Sequence, residues 1–135
     1  MNLNTQVVEP SNKMLWAGRV VSALPALGLL FSAITKLMKP PAVLQGFTHF
    51  GYPQSLIVVV ALLELGSTIV YLIRRLSVLG AILMTGYLGG ATATNVRVGD
   101  PSFIVTVTLG VLVWLGLYLR DERLRVLIPL RTPRT

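Results

Sequence analysis

The chain has 135 residues, only 13% of them charged, and a mean hydropathy of +0.72, which excludes a water-soluble domain of ordinary composition. The formal net charge is +7, but the basic residues fall mostly between or after apolar runs, where they set topology and meet lipid head groups rather than build a nucleic-acid-binding face. With no cysteine and one histidine, His49, the chain lacks thiolate nucleophiles, disulfides, iron–sulfur ligands and clustered imidazoles, so no metal site is expected.

Residues 1–13 are polar, contain Pro10 and Ser11, and read as a short cytoplasmic tail. The apolar run 14–34 follows; at 1.5 Å per residue it is about 30 Å long, enough for a first membrane span. Pro25 in its middle removes a backbone donor and is expected to kink it. Lys36, Lys39 and the pair Pro40 and Pro41 open the longest connection, in which Phe47, Phe50 and Tyr52 are spaced as in a short interfacial helix or re-entrant turn. A second span, 55–73, is uncharged except for Glu64 and is closed by Arg74 and Arg75. A third, 76–94, resumes almost without a loop, so the two form a tight antiparallel hairpin. The polar link NVRVGDP leads to a fourth span, 102–119, and to a basic tail, 120–135. The expected fold is an all-α integral membrane four-helix bundle, with residues 14–119 as its transmembrane domain.

Orientation follows from the basic residues. Lys13, Arg74, Arg75, Arg120, Arg123, Arg125, Arg131 and Arg134 fall on one side, against Lys36, Lys39 and Arg97 on the other, so both termini are expected in the cytoplasm.

Glu64 is the sharpest chemical feature, because a carboxylate within a span is costly unless paired, protonated or hydrated. Ser67, Thr68 and Tyr71 follow at offsets of three, four and seven and share its helix face. Glu64, Thr68 and Tyr71 thus read either as a proton- or ligand-binding site or as hydrogen-bonded structural residues. Arg19 is within reach of Glu64 as a counter-ion; the other reading is that it snorkels to the head groups. Gly86, Gly89 and Gly90 make a small-residue face for helix packing, with Thr85 and Thr92 placed to bond across helices. Asn95, Arg97 and Asp100 lie at the outer exit of that helix, where His49 from the long connection joins them as an outer mouth or as parts of a capped turn. Trp16, Trp114 and Tyr118 read as interfacial anchors. No nucleophile with a base and no paired carboxylates appear, so an autonomous enzyme is not expected.

K-x-x-K-P-P after the first span, the loop GFTHFGYP, the segment LLELGSTIVYLIRRLSVLGAILMTGYLGGATATNVRVGDP and the ending WLGLYLRDERLRVLIPLR together resemble the DoxX-like family of small bacterial four-helix membrane proteins. The resemblance implies a protein of the bacterial cytoplasmic membrane. The family name comes from the small membrane subunit of a terminal quinol oxidase, and relatives occur in thiosulfate:quinone oxidoreductase and in oxidative-stress complexes. Glu64 matches the acid of the family's second helix, while Asn95 stands where many relatives carry histidine. The function so implied is an accessory, quinone-associated component of a redox or stress-related complex, with quinone as the cofactor and a redox or stress-related protein as the partner. The alternatives are a proton-coupled small-molecule transporter using Glu64 and a purely structural membrane subunit.

Overall fold

The computed structural model describes residues 11–128, and parts of both expected tails, 1–10 and 129–135, lie outside them. Helix α1 spans Asn12–Met38 and runs unbroken through the buried Pro25. Ser11 caps its start, accepting a hydrogen bond from the Met14 amide at 3.3 Å. Its end is later than the apolar run suggests, because nothing stops the helix until Pro40. Lys39 takes up the left-handed conformation, φ 51°, that ends it.

Helix α2, Pro41–His49, starts on Pro41 at its first position and buries Phe47, so the aromatic connection is a short helix. A 3-10 turn, Gln54–Leu56, leads into α3, Ile57–Leu72, and a second, Arg74–Leu76, reverses the chain into α4, Ser77–Arg97. Helix α5, Phe103–Arg120, completes the bundle. A short α6, Glu122–Leu127, folds back against α5, with Leu124 as its buried anchor. Among the described residues there is no strand, as expected of an all-α chain.

Four segments are long and apolar enough to cross a membrane: Asn12–Met38, Gln54–Leu72, Arg74–Arg97 and Phe103–Arg120. Their outward faces carry Leu27, Phe31, Leu63, Ile82 and Val111, all exposed. A surface this apolar is solvated by lipid, not water. The chain is a multi-pass membrane protein.

The four spans pack in a ring. Helices α3 and α5 each touch both α1 and α4, and α1 and α4 face each other across the diagonal. Neighbours are antiparallel, as the pairs Gly18 with Arg120 (α1, α5), Tyr71 with Gly80 (α3, α4) and Thr92 with Thr106 (α4, α5) establish. Leu29, Tyr71, Met84, Leu88, Val113 and Leu117 fill the centre.

The close helix approaches are made by other glycines than those expected. A Cβ at Gly80 would collide with the Tyr71 backbone, and one at Gly116 would meet the Ser22 amide nitrogen at 2.7 Å. Gly86, Gly89 and Gly90 have no neighbouring atom within 4 Å of where a Cβ would stand and face outward, so they do not bring α4 onto α3. The phase of α4 explains this. Gly80, Ala81, Met84 and Leu88 occupy its inward stripe, which the three glycines do not share. The threonines behave as anticipated, toward α5: Thr92 and Thr106 hydroxyls lie 2.7 Å apart, and Trp114 Nε1 donates to Thr85 Oγ1 at 2.7 Å. Trp114 is therefore a link between α4 and α5.

Candidate functional site

Glu64 sits midway along α3 and is 1% exposed. Its partner is Lys36, whose Nζ lies 2.7 Å from Glu64 Oε2. Lys36 occupies the last turn of α1, and the inward stripe of that helix, Ser22, Ala26, Leu29 and Ala33, extends in the same phase to position 36. The Lys36 ammonium also donates to Ser32 Oγ one turn back on its own helix. From α4, Tyr87 brings its phenol close enough to interact with the Glu64 carboxylate. In the antiparallel hairpin Tyr87 lies opposite Glu64, in register with the contact of Tyr71 and Gly80. Three helices thus deliver an ammonium, a carboxylate and a phenol to one point of the bundle.

Arg19 is not the counter-ion. It is exposed near the opposite end of α1, seventeen positions and about 25 Å along the helix from Lys36 at 1.5 Å per residue. The expected stripe on α3 also divides. Ser67 Oγ and Thr68 Oγ1 donate to the Glu64 backbone carbonyl, at 3.0 and 2.7 Å, so neither hydroxyl is spent on the carboxylate. Tyr71, fully buried two turns along, reaches across the bundle instead. Its hydroxyl lies 2.8 Å from the Val113 carbonyl, which takes the phenolic hydrogen, and 3.0 Å from Ser22 Oγ, which serves as the second partner. The Glu64 site therefore excludes Arg19, Thr68 and Tyr71 and gains Lys36, Ser32 and Tyr87.

The residues of the expected outer mouth do come together at the α2 end. The Arg97 guanidinium donates to the Phe50 carbonyl, and His49 stacks edge-on to Phe50 with ring centroids 5.3 Å apart. Asp100 Oδ1 accepts from the Ser102 amide at 2.8 Å. The Ser102 hydroxyl and amide hold the Asp100 carboxyl below its ordinary range, and the charge of His49 pulls in the same direction. Asn95 is buried beneath this corner, where its backbone carbonyl accepts from the Asp100 amide at 2.9 Å. Tyr52 adds a further tie, its hydroxyl 2.9 Å from that of Thr94. These contacts pin the loops at the α2 end. They stand about 12 Å along α4 from Tyr87, since eight residues separate it from Asn95.

Two open grooves mark the lipid-facing surface away from Glu64, the first along α5 and α6 and the second between α4 and α5. One, of about 610 Å³, is lined by Val111, Trp114, Tyr118, Leu124 and others, and the second, of about 450 Å³, includes Gly89, Thr92, Ala93 and Gly110. Gly89 of α4 and Gly110 of α5 thus line a groove facing lipid. The Glu64 pair is approached from the end of α1, where Lys36 keeps 18% of its side chain exposed.

Compared with known families, residues 20–116 match the model of the DoxX-like family. No curated protein and no solved structure matches the chain.

Proposed function

Since the chain belongs to the DoxX-like family, we propose that it is an accessory, quinone-associated component of a redox or stress-related complex in the bacterial cytoplasmic membrane, with both termini in the cytoplasm. The observation that carries this reading is the buried Lys36–Glu64 pair with Tyr87 beside it. A carboxylate and an ammonium inside a span are costly even when paired, so a function for them is the default reading.

The donor set fits a quinone head group. Lys36 and Tyr87 are hydrogen-bond donors for a ring carbonyl, and Glu64 is an acceptor for the hydroxyl of the reduced form. When bound, a quinone supplies two-electron, two-proton redox chemistry. The chain's own residues contribute position: Glu64 presents a carboxylate oxygen as acceptor, and Lys36 holds that carboxylate in place through its ion pair. The surrounding apolar faces keep the head group out of bulk water. An autonomous reaction is not part of this reading, and electrons come from a partner protein.

A second reading rests on the same pair. Protonation of Glu64 would release Lys36, which gives proton-coupled transport of a small molecule a coupling element. Its signature is a pH-dependent flux in liposomes that Glu64→Gln abolishes.

The test is purification in native-like lipid followed by mass spectrometry of co-purifying quinones and proteins. The proposal expects a quinone, a redox partner or both, and a thermal shift on adding quinone. The absence of all three would overturn it.

A further inference from the structure

A second polar cluster, at the end of the bundle where α1 starts and α5 stops, plays no part in the Lys36–Glu64 site. Arg120 closes α5 so tightly against α1 that a Cβ on Gly18 would stand 2.9 Å from the Arg120 Cβ. Its guanidinium carbon lies 5.1 Å from the centroid of the Tyr71 ring, a cation–π arrangement that fixes the side chain. The Arg120 Nε is buried and has no hydrogen-bond partner.

Arg125 reaches the start of α1 from α6. Asp121, in extended conformation, caps α6 by accepting from the Arg123 amide at 2.9 Å, and the buried Leu124 holds the short helix down. Arg125 Nη1 then lies 3.1 Å from the sulfur of Met14, a weak acceptor, while Nε and Nη2 are buried without partners. Met14 and Gly18 are four residues apart on α1, one turn on one face. The base of the Arg120 side chain, at Gly18, and the Arg125 guanidinium, at Met14, therefore lie along a single turn of α1, while the Arg120 guanidinium extends over the Tyr71 ring.

Three buried donor nitrogens on two cations at this end of the bundle form an electrostatic demand that the described residues do not answer. The ion pair found among those residues is the one at Lys36, remote from this end. A guanidinium presents its donors in a planar fork matched to carboxylate and phosphate oxygens. The cluster also stands where the apolar spans give way to the basic segment around Arg120, Arg123 and Arg125, the depth at which lipid phosphates lie.

We infer that Arg120 and Arg125 form a binding site for a phosphate group. One phosphate accepts from both arginines, satisfies the buried nitrogens and cancels the repulsion between the cations. By occupying the angle between α1, α5 and α6 it also locks the short α6 onto the bundle.

The experiment uses the full chain in a maltoside detergent, which contains no phosphate, titrated separately with short-chain phosphatidylglycerol, inorganic phosphate and an oligoglutamate peptide. Thermal unfolding and native mass spectrometry read the binding. Saturable stabilisation by the lipid alone is the expected result and identifies a head group; saturation by inorganic phosphate keeps the site and makes its source the free ion. Arg125→Gln weakens the binding roughly tenfold or more, as expected for lost hydrogen bonds to a charged group. Arg123→Gln, at an exposed position on the same helix, leaves it unchanged. Should Arg125→Gln fail to purify, Arg125→Lys keeps the charge without the fork and is expected to give an intermediate loss. Stabilisation by neither phosphate probe, stabilisation by the peptide in their place, or equal binding by the Arg125 variants and the wild type would overturn the inference.

Discussion

The Lys36 ammonium, at the end of α1, lies 2.7 Å from a carboxylate oxygen of Glu64 at the middle of α3. Removal of one member leaves the other charged or unsatisfied in an apolar setting, whereas removal of both leaves neither. Lys36→Met or Glu64→Leu alone should each cost about 3 to 5 kcal/mol, and the double variant Lys36→Met/Glu64→Leu much less than their sum. Unfolding monitored in detergent micelles checks this. Additive losses would show that the two side chains do not depend on one another.

The second prediction concerns the hairpin of α3 and α4. Gly80→Ala places a methyl group against the backbone of Tyr71, and the helices must part to admit it. A loss of about 1 to 3 kcal/mol is expected, against near-neutral effects of Gly86→Ala, Gly89→Ala and Gly90→Ala. Thermal unfolding of the four variants side by side gives the comparison. Equal loss at Gly80 and Gly90 would contradict the packing described.

Tyr71→Phe tests the diagonal. It removes one hydroxyl from two partners, the Val113 carbonyl and Ser22, and keeps the ring under Arg120. The expected cost is about 1 to 2 kcal/mol, with quinone binding unchanged, because Tyr71 does not belong to the Glu64 site. A change in quinone affinity equal to that of a Lys36 variant would return Tyr71 to that site.

A fourth prediction follows from Asp100. Its carboxyl titrates below the unfolded value, so its contribution to the α4–α5 turn is complete above the ordinary aspartate range, near pH 4, and declines as pH falls through the folded value. Asp100→Asn should remove that acid dependence. Proteolysis at the turn between Val98 and Ser102, followed from pH 6 downward to about pH 3 with an acid-active protease, reads it. An identical pH profile in the variant would leave Asp100 without this role.

The spans were legible because their apolar runs are long and their punctuation is strong: Pro40 and Pro41, Arg74 and Arg75, and the link ending at Pro101. Glu64 was legible because an acid inside a span is exceptional. Its partner was not, because hydrophobicity ends before the helix does. Lys36 lies past the apolar run and looks like a loop residue, yet α1 continues to Met38. The signal that identifies it is phase: Leu29, Ala33 and Lys36 follow one another at helical spacing on one face. Glycine spacing misled for a related reason. A GxxxG pair reports a smooth face, but only the phase relative to Ala81, Met84 and Leu88 says whether that face looks inward. The arginine pair at Gly18 and Met14 was out of reach of the sequence, since α6 must first fold back on α5 to bring Arg125 there.

The most direct test of the account is a quinone titration of the reconstituted wild type and of the double variant Lys36→Met/Glu64→Leu, read as the shift in unfolding temperature. The double variant is the informative one because it keeps the fold without the polar pair. The account predicts saturable stabilisation of the wild type and none of the variant. Equal stabilisation of both would contradict a quinone site at Lys36 and Glu64.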